Sequence, residues 1–190
     1  MQLVNGASAA SKMALIRVNY AYAGENRLKS AFSSLAGISA DEKDVGRKLL
    51  LASRKDIRRV MLCGGETTLW QTLAKTLVLA RKIGLETHIQ SDARRISSME
   101  AAQTLKRYGL KGVETTIAGP DEQTHDILFD RGSYAESIAG LARCREAGIE
   151  ISINIPLHKG NYLTLVQTVI SLQELKPRAV VFSLPDPADL

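Results

Sequence analysis

Short β-rich runs alternate with amphipathic helical runs along this chain, and that alternation restricts its fold more than any other feature. The apolar or β-branched runs cover residues 14–20, 59–63, 86–90, 113–117, 150–155 and 179–182. From the second run onward their starts recur every 27 to 37 residues, without any repeat of sequence. Helical signals fill the gaps. The segments Ser39–Glu42, Ser97–Glu100 and Ser133–Glu136 each read as a capping box, in which the hydroxyl takes an orphan N–H and the Glu reaches back. Gly84, Gly109 and Gly148 each follow an apolar-periodic run, where a left-handed residue ends a helix. Leu69, Leu73, Leu77 and Ala80 recur at helical spacing and mark one buried face. The fifth helix, over residues 162–175, stops before Pro177. Six strands with five intervening helices predict an α/β fold with a parallel sheet and right-handed crossovers.

Composition narrows the function. The chain has 190 residues and is 45% apolar, as expected of one packed domain over residues 1–190, with residues 1–12 read as a flexible N-terminus. No run of about 18 apolar residues is present, so no membrane partner is expected. The first twelve residues carry no basic start and no apolar h-region, so no secretory signal is read there. Two cysteines make no disulfide framework, and the expected location is the cytoplasm with both thiols reduced. The net charge of +5 comes from scattered pairs, Arg54-Lys55, Arg58-Arg59, Arg81-Lys82, Arg94-Arg95 and Lys106-Arg107. These read as cations at helix C-termini, and with only 5% aromatic residues nucleic acid is not an expected partner.

In a fold of this kind ligands bind at the carboxyl ends of the strands. After the second strand comes Gly64-Gly65-Glu66, two glycines that let the backbone approach a ligand and a carboxylate at the strand ends. After the third comes Gln90-Ser91-Asp92. After the fourth come Thr115-Thr116-Ile117-Ala118-Gly119-Pro120, then His125-Asp126 and Arg131-Gly132-Ser133-Tyr134. After the fifth come Asn154 and Asn161. No zinc-ligand spacing and no nucleotide-phosphate loop is present.

Together these segments resemble the radical S-adenosylmethionine superfamily, in its branch of peptide-maturing and cofactor-maturing enzymes. That branch reads GGEPTL after its second strand and SIDG or similar at its fourth strand end, then a His-Asp and a Gly-Ser-Tyr helix start. The resemblance spans nearly the whole chain and implies a partial (β/α)6 TIM-like barrel. The sixth helix and the branch's auxiliary cluster domain are read as missing before residue 190.

The resemblance implies cofactor-binding roles for Gly64, Gly65 and Glu66 at the methionyl amino group. It implies others for Gln90, Ser91 and Asp92, for Thr116 at the ribose and carboxylate, and for Asn154 near the ribose or adenine. It also exposes a departure. The family's C-x3-C-x2-C motif, whose thiolates hold a [4Fe–4S] cluster, aligns with Gly24, Leu28 and Ala31, none of which ligates iron. Cys63 and Cys144 read as small buried hydrophobes. The expectation is therefore no [4Fe–4S] cluster, weak S-adenosylmethionine binding and no catalytic residues. The chain would be a pseudoenzyme that binds a peptide substrate, a paralogous radical SAM enzyme or a second copy of itself. The 24–32 loop and an exposed edge strand after Ala179 would serve as contact surfaces. One alternative is a non-radical enzyme reusing the pocket, with Glu66, Asp92 or His125 as acid or base. Another is an active radical enzyme with cluster ligands from another chain. His125 otherwise reads as structural.

Overall fold

The structure, a computed structural model, describes residues 2–5, 12–18 and 40–184. Its strands are β1 (Gln2–Asn5), β2 (Lys12–Arg17), β3 (Arg59–Cys63), β4 (Glu86–Gln90), β5 (Leu110–Thr116), β6 (Glu150–Pro156) and β7 (Ala179–Ser183). The helices are α1 (Glu42–Arg54), α2 (Leu73–Lys82), α3 (Met99–Tyr108), α4 (Glu122–His125), α5 (Ser133–Glu146) and α6 (Leu165–Ser171). The strands form one sheet in simple sequence order, with β2 to β7 all parallel. Each parallel step needs a crossover, and crossovers of one hand place every helix on the same face. The sheet is thus the predicted partial barrel, six parallel strands curled with helices outside.

Register sets what each face carries. On the helix-covered face Ile16, Leu62, Ile89, Val113, Ile117, Ile153 and Ile155 meet Leu49, Leu77 and Leu141, every one of them 1% exposed or less. That core is continuous from β2 to α6, and it closes by burial of aliphatic side chains. On the opposite, concave face stand residues of the other parity, including Met61, His88, Gln90, Glu114, Thr116, Ser152 and Asn154.

Several expectations shift. Gln2–Asn5 lies in the stretch expected to be a flexible terminus, yet it pairs antiparallel with β2 from Gln2↔Leu15 to Asn5↔Lys12. The otherwise open backbone edge of β2 supplies the reason. β5 starts at Leu110, directly after the left-handed Gly109 (φ 114°), three residues before the predicted start. The helix stops at Gly84, Gly109 and Gly148 all hold, each with positive φ. The caps slip. Asp41 caps α1 and Ser98, not Ser97, caps α3. Ser133 does not cap α5, whose N-cap is Gly132. The Leu69, Leu73, Leu77 and Ala80 face is right at its last three positions, which are buried along α2. The absence of a sixth helix was expected of residues 185–190, which lie outside the described residues. No helix among the described residues is long and apolar enough to cross a membrane.

Candidate functional site

The carboxyl ends of β3, β4, β5 and β6 are joined, one to the next, by buried side chains. At the exit of β3, Gly64 and Gly65 take φ of 101° and 56°, conformations that only glycine adopts freely. They turn the chain so that Glu66 points inward, 3% exposed. Its Oε1 accepts from the Thr68 N–H at 2.9 Å, the Thr68 hydroxyl at 2.5 Å and the Ser91 hydroxyl at 2.7 Å. Its Oε2 accepts the Asp92 N–H at 2.8 Å. Four donors compensate a carboxylate withdrawn from water, and they bind the exit of β3 to that of β4.

The next link runs from β4 to β5. The Ser91 N–H donates to the Glu114 carbonyl at 3.0 Å, and the Thr115 hydroxyl donates to the Ser91 carbonyl at 2.8 Å. Beside them lies Asp92, whose Oδ1 accepts the Arg94 N–H at 3.0 Å. Burial first, and the neighbouring Glu66 second, push the Asp92 carboxyl up to about 7. Arg94 carries the loop onto α5, meeting Asp130 at 3.0 Å and Glu136 at 2.6 Å. The Arg94-Arg95 pair is therefore not at a helix end, whereas Arg54, Arg81-Lys82 and Lys106-Arg107 occupy the last turns of α1, α2 and α3.

From β5 to β6 the tie is a clamp on one residue. The Ala118 N–H donates to His125 Nδ1 at 3.1 Å, and the Ala118 carbonyl accepts from Asn161 Nδ2 at 2.8 Å. Asn161 also donates to the Pro156 carbonyl at 2.7 Å and accepts the His158 N–H at 3.0 Å. His125 and Asn161 are 2% and 0% exposed. The His125 ring stacks on Phe129 with centroids 4.5 Å apart, and burial pushes it down to about 4. Its Nδ1 is taken by the Ala118 N–H and its ring packs on Phe129, the structural role that the sequence reading favoured. Against the cost of burial, the Tyr134 and Gly132 N–H groups and the Ser133 hydroxyl hold the Asp126 carboxyl below its usual range. Asp126 thereby does the capping that the sequence pattern assigned to Ser133.

The eight residues singled out from sequence divide into groups. Gly64 and Gly65 shape the rim backbone. Glu66 and Ser91 are buried parts of the tie between strands. Asp92 is half-buried beside them. Gln90, Thr116 and Asn154 are half-buried on the concave face, with Thr116 and Asn154 directly paired across β5 and β6. The sequence reading missed Glu114, which pairs with Gln90 across β4 and β5. Burial, partly offset by the Gln90 amide, holds the Glu114 carboxyl above its ordinary range. Gly24, Leu28 and Ala31 lie outside the described residues.

A family model described as "Radical SAM superfamily" matches residues 33–170, most of the chain. The chain belongs to the radical SAM superfamily. It is 27% identical over 103 residues to the AdoMet-dependent heme synthase of Nitratidesulfovibrio vulgaris, covering 54% of this chain and 28% of that protein. Streptococcus suis SuiB bound to its precursor peptide SuiA superposes with a TM-score of 0.78 at 16% identity, covering 92% of this chain and 39% of SuiB. SuiB bound to S-adenosylmethionine superposes at 0.72 and 18% identity, covering 92% of this chain and 39% of SuiB. The chain thus spans well under half the length of these relatives, and the structural likenesses establish its fold.

Membership corrects the expectation of no [4Fe–4S] cluster and weak S-adenosylmethionine binding. The family is one that holds both a cluster and S-adenosylmethionine, and SuiB has been crystallised with the latter. The expectation rested on three positions outside the described residues, upstream of where the family match begins. The described residues do not by themselves form a cluster site. Cys144 is buried, its thiol pushed up to about 12 by burial, and Cys63 stands at the end of β3. No group of three or more His, Cys, Asp or Glu side chains suited to a metal occurs among them.

Proposed function

We propose that this chain is the S-adenosylmethionine-binding half-barrel of a radical SAM protein that acts on a peptide. The observation that carries this reading is the run of ties joining the exits of β3, β4, β5 and β6 into one preformed rim. A rim that is already ordered loses little entropy when a ligand arrives. Gly64 and Gly65 offer backbone without a Cβ to the methionyl end, while Gln90, Thr116 and Asn154 present amides and a hydroxyl to the ribose and adenine. Glu66 holds Ser91 and Asp92 in place, so it acts on the ligand mainly through them. When bound, S-adenosylmethionine supplies the reacting sulfonium centre, and this chain's residues bind and orient it. The peptide lies over the concave face, a reading supported by the likeness to SuiB bound to SuiA. The similarity to a heme synthase favours maturation of a cofactor as a second reading. A cytoplasmic location, where thiols stay reduced, belongs to the same reading.

The test is calorimetric titration of the purified chain with S-adenosylmethionine. Binding in the micromolar range is expected, weakened about tenfold in Asn154→Ala, the scale of one lost buried hydrogen bond. No heat and no thermal shift up to about millimolar ligand would overturn the reading.

A further inference from the structure

The described strands carry three carboxylates, Glu86, Glu114 and Glu150, all with the parity of the concave face. Two of them stand at the amino ends of their strands and are ion-paired. Glu86 meets Arg59 at 3.2 Å, and Glu150 meets Lys111 at 2.9 Å and also Arg178. Glu114 stands near the carboxyl end of β5, one pleat below the rim residue Thr116. Its register partners are Gln90 and Ser152, both neutral. Its one side-chain hydrogen bond among the described residues comes from Gln90 Nε2 at 3.4 Å, near the limit for such a bond. No cation among the described residues pairs with it.

Glu114 is half-buried, and a carboxylate partly withdrawn from water among neutral groups is better satisfied by a cation than by an amide alone. Its raised proton affinity is the same fact seen from the other side. The position is also directional. A ligand on the concave face beneath the rim meets Glu114 flanked by an amide and a hydroxyl, all able to accept from a cationic donor.

We infer that Glu114 is a specificity-determining residue that receives a basic side chain, an ammonium or guanidinium, of the peptide bound on the concave face. This rests on the peptide-acting reading above and adds the class of side chain it selects. Gln90 and Ser152 orient the head group, and the aliphatic stem lies toward the rim. The carboxylate discriminates because an uncharged side chain of the same length displaces water from it without supplying a cation.

The experiment uses two probe peptides, acetyl-Gly-Lys-Gly-amide and its norleucine counterpart, titrated into the chain saturated with S-adenosylmethionine. The lysine peptide is expected to bind at least about tenfold more tightly, about 1.4 kcal/mol. Glu114→Gln, near-isosteric and uncharged, removes that preference. Glu114→Asp keeps the charge, sets it back by one carbon, and reduces the preference without abolishing it. Thermal melts of both variants show whether the fold is intact, and Glu114→Asp alone decides if Glu114→Gln does not fold. Equal affinity of the two peptides for the wild type overturns the inference, as does a preference that survives unchanged in either folded variant. Loss of S-adenosylmethionine affinity in Glu114→Gln, with no peptide preference in the wild type, would assign the carboxylate to the sulfonium and also overturn it. Failure of the wild type to bind S-adenosylmethionine sinks the underlying reading instead, and it is read in the first titration.

Discussion

Nδ1 of His125 accepts the backbone N–H of Ala118 at 3.1 Å, in surroundings that leave the ring 2% exposed. An accepting Nδ1 puts the single ring proton on Nε2. A second proton on Nδ1 would point at another N–H and break the hold on the β5 exit.

That geometry predicts an acid-sensitive fold. Burial holds folded His125 at about 4 against an ordinary value of 6.5. Between those values the unfolded chain binds more protons, so stability is lost as pH falls through that window. The contribution is about 3 kcal/mol. Urea midpoints measured from pH 4 to 8 should fall more steeply for the wild type than for His125→Gln. Parallel declines would refute the assignment.

Asp92 should act in the opposite sense. Its folded value of about 7 exceeds the ordinary 3.8, so the folded state holds the extra proton and stability is lost as pH rises through that range. Asp92→Asn keeps the Oδ1 acceptor for the Arg94 N–H and removes the charge beside Glu66. It should stabilise the chain at pH 8 by on the order of 1–2 kcal/mol, since water partly screens the half-buried carboxyl. Its advantage should grow between about pH 5 and 7, as read by calorimetric melting.

Asn161 joins two strand exits through three hydrogen bonds. Asn161→Ala strands two buried carbonyls and one N–H, at a cost of about 2–4 kcal/mol. Asn161→Asp is expected to be no better, because it places one oxygen where the Nδ2 amide donated to both carbonyls. Denaturant midpoints at unchanged slope would measure both.

Two helical glycines should respond with opposite sign. A Cβ on Gly140 would lie 2.1 Å from the Ala93 carbonyl oxygen, because α5 packs directly on the loop after β4. Gly140→Ala should cost about 1–3 kcal/mol despite alanine's better helix propensity. A Cβ on Gly46 in α1 would meet nothing closer than Leu79 Cδ2 at 3.7 Å. Gly46→Ala should therefore gain about 0.5–1 kcal/mol. Melting temperatures of the two variants check both signs.

Much of this molecule is legible from local pattern. Leu73, Leu77 and Ala80 fall on one helical face in any context, and Gly109 ends a helix because only its backbone adopts φ 114° at little cost. The caps were less legible. Ser97 and Ser98 are equal candidates by composition, and only the extended backbone of Ser98 (φ −137°, ψ 159°) aims its hydroxyl at the Ala101 N–H. Asp126 could not be read as the cap of α5, since its carboxylate arrives from beyond an intervening turn. The expectation about the cluster failed for another reason. It weighed three positions, Gly24, Leu28 and Ala31, whereas membership of the family is carried by residues 33–170.

By itself the sequence determined the order of the six parallel strands and the helices between them, and the places where the loops after those strands begin. All of these follow from periodicity and turn chemistry within a few residues of chain. Which polar groups are consumed and which remain free was decided only by the tertiary structure. Glu66 and Glu114 are both glutamates at strand ends. Register and curl surround one with four donors and leave the other, among the described residues, with a single amide. Hydrogen bonds between residues some 25 positions apart exist only once the strands lie side by side, so no local pattern announces them.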